Sequence, residues 1–279
     1  MSEDKPSSHD GGFAPKPPLT ADRITREVRG HLLLIGFNRA QKKNAFDLEM
    51  LDALSVAVTE LDRDPALRVG VIFAHGSDFT AGLDLGNVAP AIASGGRALY
   101  KPGTIDPWAT HGPACRKPIV TAVQGLCLTL GVELVLATDV RLASTDARFG
   151  QIEVKRGIFA FGGGTARWVS NVGWGNAQRY LLTGDIFDAA EALRIGLVQE
   201  VVEPARLLPR AIEIAETIAA QAPLAVQASL ASSRRAVAEG EEAAAEELMP
   251  AVRELMSTED AAEGLASFLQ RRQAVFKGR

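Results

Sequence analysis

Two glutamates stand where their carboxylates could act on a bound substrate. Glu133 lies in GLCLTLGVELVLATD, Gly125 to Asp139, a run that is almost wholly apolar and contains no cation. Removing an isolated carboxylate from water is costly, so a buried glutamate is paired, hydrogen-bonded or protonated. Glu153 follows in FGQIEVKRG, whose glycines and aromatic residue resemble a tight turn near a cavity. Two carboxyl groups within reach of one substrate could act as general base and general acid.

Backbone amides near these glutamates could bind a negatively charged oxygen. We predict a helix that begins near Thr129, and the first N–H groups of such a helix are unpaired and attract anions. In DFTAGLDLGN, Gly82 lets the backbone pass close to a neighbour, and the Leu83 amide opens a second predicted helix. Two converging amides of this kind would form an oxyanion hole.

Each of these residues also has an ordinary structural interpretation. Glu133 could reach solvent from a helix face, and Glu153 could form a surface ion pair with the cations that follow it. Gly82 and Gly131 could serve turns only. Taken singly, each residue favours the structural interpretation, whereas the combination of both glutamates and both glycines favours catalysis.

Composition excludes several classes of protein. The chain has 279 residues, of which 47% are hydrophobic, enough for one large domain or one domain with an appended helical part. Its formal charge of −4 gives no electrostatic argument for nucleic acid binding. Two cysteines, Cys115 and Cys127, and four histidines lack the number and spacing of a disulfide framework or zinc site. We therefore expect a cytoplasmic protein without a metal.

The first 20 residues are polar and rich in proline, glycine and serine, so we predict a disordered tail over 1–20 without a signal peptide. The longest apolar runs have the length of buried core helices and not of membrane spans. We expect no membrane partner.

The pattern of apolar residues predicts an α/β core followed by helices. ITREVRGHLLLIGFNR, RVGVIFAHG and KPIVTAVQG are predicted to be three buried strands. Leucines and valines at helical spacing from Leu48 to Leu61 predict a packing helix with Asp47 as its cap. Three adjacent glycines, Gly162 to Gly164, lack the lysine of a phosphate loop and indicate close packing.

From about Pro204 onward we predict four alanine-rich helices, ARLLPRAIEIAETIAAQA, LAVQASLASSRRAVAE, EEAAAEELMPAVRELM and AAEGLASFLQRRQAVF. We accordingly divide the ordered chain into a core, 21–203, which holds the site, and a helical region, 204–279, for oligomerisation and covering of the site. The segment Gly86 to Arg116 has weak periodicity and is expected to form a mobile wall over the site.

Five blocks of the chain resemble the crotonase, or enoyl-CoA hydratase, superfamily, and they occur in the order and spacing of that family. The blocks are FNRAQKKNAFD, DFTAGLDL, KPIVTAVQGLCLTLGVELVLATDVRLAS, ARFGQIEVKRGIFAFGGGTARW and LLTGDIFDAAEALRIGLVQEVV. The resemblance spans roughly Ile24 to the C-terminus, and it is closest to enoyl-CoA hydratase.

This resemblance implies a spiral of ββα turns with a C-terminal α-helical trimerisation region, assembled as a trimer or a dimer of trimers. It implies an acyl-CoA substrate, no separate cofactor and no metal. The family's oxyanion-hole amides correspond to Leu83 and Leu130. Its two catalytic glutamates, of which one activates water and one delivers the α proton, correspond to Glu133 and Glu153.

The same resemblance assigns further residues to substrate or CoA binding: Lys42, Lys43, Ala81, Gly82, Asp84, Gly131 and Arg271. Helix capping is the favoured interpretation of Asp84, and a solvated helix face that of Arg271. The lysine pair is as readily a solvated pair as a phosphate contact.

The chain departs from the family pattern at four places. Thr129 and Leu130 replace two of three glycines that family hydratases commonly have, which narrows backbone freedom and adds bulk, although the amide donor remains. Ala40 replaces the family's usual proline. Gly86 stands after Leu85 where the family often has a lysine near the CoA nucleotide, so the sequence pattern does not identify the residues that contact the CoA phosphates.

The sequence thus predicts an enoyl-CoA hydratase that adds water reversibly across a 2-enoyl thioester. The first alternative is another reaction of the superfamily, namely isomerisation, acyl-CoA hydrolysis or dehydration of a specialised hydroxyacyl-CoA, since fold does not fix chemistry. The second alternative is a CoA-binding subunit without turnover.

Overall fold

The chain forms an α/β core followed by helices, in a computed structural model that describes residues 22–96 and 99–279. The predicted tail, 1–20, lies outside the described residues. The strands are β1 (Ile24–Arg29), β2 (Leu32–Phe37), β3 (Val69–Ala74), β4 (Ile119–Val123), β5 (Leu126–Leu128), β6 (Val140–Ser144), β7 (Arg148–Gly150), β8 (Ile186–Asp188) and β9 (Glu200–Val202). The helices are α1 (Leu48–Arg63), α2 (Leu85–Ala93), α3 (Leu130–Ala137), α4 (Gly164–Val172), α5 (Trp174–Thr183), α6 (Ala189–Arg194), α7 (Pro204–Ala219), α8 (Pro223–Glu239), α9 (Glu241–Glu246), α10 (Leu248–Leu255) and α11 (Glu259–Gln270).

Six strands form the main sheet in the order β1-β2-β3-β4-β6-β9, and three form a smaller sheet in the order β5-β7-β8. In the main sheet only β1 and β2 are antiparallel, with Ile24 opposite Phe37. The first predicted strand is therefore wrong as a single element, because the chain turns back at Gly30, whose φ is 57°. A glycine accepts this left-handed conformation without steric cost.

Apolar side chains cover both faces of the main sheet. All residues of β2, β3 and β4 are buried. Side chains of α1 and α3 pack on one face, whereas α7 packs on the other through residues such as Leu207 and Ala211. A strand buried on both faces has a continuous run of apolar residues in its sequence. This pattern predicted β3 and β4.

Asp47 caps α1, as its position before the helical pattern predicts. Its carboxylate accepts a hydrogen bond of 2.9 Å from the Met50 amide. The other carboxylate oxygen pairs with Arg23 at 3.0 Å and with Arg39 at 3.2 Å. The cap thus also ties the start of α1 to β1 and to the turn after β2.

The C-terminal helices confirm the predicted helical pattern with two corrections. The third predicted helix is two helices, α9 and α10, which separate at Glu247. The fourth ends at Gln270, and the chain then folds back so that the Asp260 carboxylate accepts hydrogen bonds from Lys277 N–H (2.6 Å) and Gly278 N–H (2.8 Å). In the part of the chain that the structure describes, no helix has the length and apolar character that crossing a membrane requires.

The weakly periodic segment from 86 to 116 contains a helix and buried side chains in its described part. It begins within α2, and Ile105 and Trp108 are buried in the core. The buried Asp106 carboxylate holds the turn between them, because it accepts the backbone N–H groups of Trp108, Thr110 and His111.

Replacing Asp47 with alanine is expected to lower the free energy of unfolding by about 2 kcal/mol, since the mutation removes a helix cap and leaves Arg39 without one carboxylate partner. Urea unfolding of the full chain measures this loss. Asp47→Asn is the matched control because asparagine retains the capping oxygen, so it should lose about half as much. Equal losses in the two variants would show that the cap contributes nothing.

Candidate active site

Two backbone segments that lead to Leu83 and Leu130 run side by side. Thr80 and Cys127 form a parallel bridge. The Leu128 amide donates to the Thr80 carbonyl at 3.0 Å. Because both segments continue in the same direction, Leu83 and Leu130 occupy corresponding positions three residues further along.

Both amides are available as donors. Phe46 forms backbone hydrogen bonds with the two neighbours of Leu83 and not with Leu83 itself. Its N–H donates to the Gly82 carbonyl at 2.8 Å, and its carbonyl accepts from the Asp84 N–H at 2.9 Å. Leu130 is the first residue of α3, so its N–H has no partner inside the helix. Within the described residues, neither the Leu83 nor the Leu130 amide donates a hydrogen bond. A pair of free donors at a helix start can stabilise an oxygen that acquires negative charge.

Two glycines are required by the close contact of these segments. A Cβ atom on Gly82 would lie 1.8 Å from the Thr129 hydroxyl oxygen, and one on Gly131 would lie 2.2 Å from a methyl carbon of Thr80. Gly82 also has a φ of 89°. Thr129 directly precedes α3 and has a φ of 52°, so the predicted helix start near this residue is confirmed.

Glu133 lies in the first turn of α3 with only 1% of its surface exposed. One carboxylate oxygen accepts a hydrogen bond of 2.8 Å from the Gly164 amide at the start of α4. Burial raises the pKa of Glu133 to about 7, the N–H of Gly164 opposes this rise, and the negative charge of Glu153 adds to it. The alternative of a solvent-facing helix residue is therefore wrong.

Glu153 opens a short 3₁₀ turn and is 6% exposed. Its Oε1 accepts a hydrogen bond of 2.7 Å from Gln151, which in turn accepts one of 3.0 Å from the Trp168 indole N–H. Its Oε2 has no partner among the residues that the structure describes. Burial raises the pKa of Glu153. The alternative of a surface ion pair is wrong as well, since Lys155 pairs instead with Asp185 at 3.9 Å.

An apolar pocket adjoins the two amides. Its walls are formed by Leu51, Leu83, Leu99, Tyr100, Trp108, Leu130, Phe161 and Gly162. A separate cavity of about 160 Å³ adjoins Glu153 and is lined in part by Phe159 and Ala160. Consecutive residues of one loop thus line both spaces, and Glu133 packs against the same loop at Gly162 and Gly164.

Trp108 is a wall residue that sequence reasoning missed. Its indole N–H donates a hydrogen bond of 2.9 Å to the Leu130 carbonyl, and its ring meets the edge of Phe46 at 5.5 Å between centroids. The segment expected to form a wall does line the pocket, through Leu99, Tyr100 and Trp108. A lone tryptophan within the polar stretch KPGTIDPWATHGP was the available signal.

The other predicted binding residues fall into two places. Ala81 lies beside Lys43, because its amide donates to the Lys43 carbonyl at 2.9 Å, and the side chains of Lys42 and Lys43 are exposed. Arg271 lies at the far end of α11, exposed, with a φ of 51°. Among the described residues, no hydrogen bond or ion pair connects the Arg271 side chain to the site.

The favoured interpretation of Asp84 as a helix cap is wrong. Asp84 occupies the position before α2, but its side chain makes no capping hydrogen bond. Its carboxylate instead pairs with Arg39 at 2.8 Å. The charge of a partly buried arginine therefore outweighs the local capping preference.

These features define an α/β protein with two buried carboxyl groups and two free backbone donors. The family described as enoyl-CoA hydratase/isomerase matches residues 27–279. The enoyl-CoA hydratase EchA19 of Mycobacterium tuberculosis is 34% identical over 91% of this chain and 96% of its own length. The crotonyl-CoA hydratase of Syntrophomonas wolfei is also 34% identical, over 92% of this chain and 99% of its own.

Solved structures agree with these sequence matches. A probable enoyl-CoA hydratase/isomerase from Mycobacterium abscessus superposes with a TM-score of 0.90 at 49% identity, over 92% of this chain and 99% of that one. The chain belongs to the enoyl-CoA hydratase/isomerase family. The predicted superfamily and the predicted α/β fold with C-terminal helices are both confirmed.

Glu133 is expected to make stability depend on pH. Its pKa rises from 4.5 in the unfolded chain to about 7 in the fold. The folded state therefore binds the proton of the Glu133 carboxyl group more tightly than the unfolded chain does. As pH rises from about 4.5 to about 7 and beyond, ionisation of the buried carboxyl group lowers the free energy of unfolding. Between about pH 4.5 and about pH 8, the free energy of unfolding of Glu133→Gln should gain about 3 kcal/mol relative to the wild type.

Urea unfolding at several pH values measures this difference. Glu242→Gln is the matched control because it makes the same substitution at an exposed position on α9. A Glu133→Gln difference that stays constant with pH would contradict the burial of a titrating carboxylate.

Proposed function

We propose that the protein is an enoyl-CoA hydratase. The observation that carries the proposal is the presence of two buried glutamates together with two free backbone amides, of which the Leu130 amide lies in the same helix turn as Glu133. The thioester carbonyl oxygen would accept hydrogen bonds from Leu83 and Leu130 N–H. Glu133 would take a proton from a water whose oxygen bonds to the β carbon, and Glu153 would give its proton to the α carbon. Water is thereby added across the double bond without any change of oxidation state.

The environments of the two glutamates support these roles. A general base works best when its pKa is close to the working pH, and burial brings the pKa of Glu133 to about 7. The hydrogen bond from the Gly164 amide fixes the position of one oxygen of Glu133. Burial raises the pKa of Glu153, which favours the protonated form that an acid requires.

Substrate binding follows from the surroundings of the amides. We assign the acyl chain to the apolar pocket behind Leu83 and Leu130. The exposed Lys42 and Lys43, next to Ala81 at the start of the amide-bearing segment, are candidates for the CoA phosphates. Arg271 could contribute only from a neighbouring subunit. The proposal includes no metal and no cofactor other than the CoA of the substrate.

The C-terminal helices support a homo-oligomer, which we propose to be a trimer or a dimer of trimers. Large apolar side chains of α10, α11 and the turn between them are more than half exposed: Met249, Met256, Leu265, Phe268 and Leu269. Exposed apolar groups in this number on one region mark an interaction surface. The cytoplasmic location remains a prediction.

Replacement of either glutamate is expected to lower kcat by about 10³-fold, because each supplies one proton transfer. The measurement follows loss of the enoyl-thioester absorbance with crotonyl-CoA and longer 2-enoyl-CoAs, for the wild type, Glu133→Gln and Glu153→Gln. Glu242→Gln should retain full activity. A thermal shift with CoA checks that the variants still bind.

An inactive wild type on every chain length would contradict simple hydration. Turnover of a specialised thioester would then favour another reaction of the family. A thermal shift with CoA and no turnover at all would favour the non-catalytic alternative, which the bulk of Thr129 and Leu130 beside the amides keeps open.

Introducing charge on the exposed apolar face is expected to reduce the size of the assembly. Met249→Glu and Phe268→Glu each place a carboxylate where contact with another subunit would have to desolvate it. Light scattering after size exclusion gives the mass of each variant, with Glu242→Lys as the control for a charge change elsewhere. A monomeric wild type, or variants of unchanged mass, would contradict this interface.

A further inference from the structure

Thr129 holds a backbone conformation that disfavours threonine. Its φ is 52° and its ψ is −119°, a combination that glycine adopts readily and a β-branched residue does not. Such strain persists only where surrounding structure enforces it, and it concentrates at functional sites. Neighbouring backbone bonds enforce it here, since Thr129 N–H donates to Gly150 O at 2.8 Å and its carbonyl accepts from Val132 N–H at 2.9 Å.

The Thr129 hydroxyl does not form the capping hydrogen bond that is usual at a helix start. Threonine at a helix start usually accepts a hydrogen bond from an amide of the first turn, but Thr129 makes no capping bond. Within the part of the chain that is described, its hydroxyl has no hydrogen-bond partner, and the residue is half-buried. A donor is therefore held in place without a partner in the protein.

The position of this hydroxyl is defined by the two segments that carry the amides. Its oxygen lies against Gly82, where an added Cβ atom would be only 1.8 Å away. Gly82 immediately precedes Leu83, and Thr129 immediately precedes Leu130. The hydroxyl oxygen thus lies against the residue before Leu83 and belongs to the residue before Leu130.

We propose that the Thr129 hydroxyl is a third hydrogen-bond donor to the thioester oxygen, alongside the Leu83 and Leu130 amides. This inference rests on the proposed hydratase function. The O–H donates to the carbonyl oxygen as that oxygen gains enolate charge, and the proton stays on Thr129. An additional preorganised donor strengthens the stabilisation of developing charge, and this role accounts for threonine where glycine would satisfy the backbone.

The test compares three variants in the crotonyl-CoA hydration assay. Thr129→Val keeps the branched shape and the strain but removes the hydroxyl, whereas Thr129→Ser keeps the hydroxyl. Thr129→Gly removes both the strain and the hydroxyl. We expect kcat to fall about 10²-fold in the valine and glycine variants with KM nearly unchanged, and serine to restore it to within a few-fold of the wild type.

Thermal unfolding separates the chemical role from a structural one. Thr129→Gly should melt above the wild type because the strain is relieved, yet it should be as slow as Thr129→Val. A valine variant with the wild-type kcat would overturn the inference. So would a valine variant that changes KM alone, since the hydroxyl would then bind only the ground state. A wild type inactive on all 2-enoyl-CoAs would instead refute the hydratase function, and this inference with it.

Discussion

The contact between the backbone of 80–83 and the backbone of 126–131 has no room for additional side chains, and the geometry of the site depends on it. An extra methyl group on Gly82 or on Gly131 would overlap Thr129 or Thr80. Thr80 locks the contact, because its hydroxyl donates to Asn44 O at 2.7 Å and accepts from Gly82 N–H at 3.0 Å. The separation of the two free amides is therefore set by packing, so the proposed oxyanion hole would need no reorganisation when charge develops there.

Burial of Glu133 is the second constraint, and the loop before α4 adapts to it. Desolvation alone would push the carboxylate far toward its neutral form. The amide of Gly164 reaches it at 2.8 Å, and a side chain at Gly164 would come within 2.8 Å of the same oxygen. Desolvation and the repulsion from Glu153 are only partly offset by the backbone amides of Gly164 and Gly162, which leaves the pKa of Glu133 at about 7. The carboxyl group can therefore both accept and release a proton near neutrality.

Patterns within short stretches of sequence predicted the features that depend on interactions between residues close together in the chain. The buried strands and the Asp47 cap follow from apolar periodicity and capping chemistry, and Glu133 was visible as a charge in an apolar run. Asp84 was misassigned because an ion pair with Arg39 overrides capping. Trp108 was missed because its role depends on a hydrogen bond to the distant Leu130 carbonyl, which no spacing rule indicates. The break between α9 and α10 lies in an alanine-rich stretch that propensity alone would continue.

Leu130 shows how the chain can depart from the family pattern and keep the feature that the chemistry needs. The oxyanion donor that we propose at this position is a backbone N–H, which leucine supplies as well as glycine. The added side chain is accommodated opposite Gly162, where a Cβ atom would lie 2.5 Å from a Leu130 methyl carbon. Bulk on the helix is thus matched by a glycine on the loop, and the Leu130 side chain joins Trp108 in the pocket wall. Side chains can in this way reshape the acyl pocket while the backbone donors stay in place.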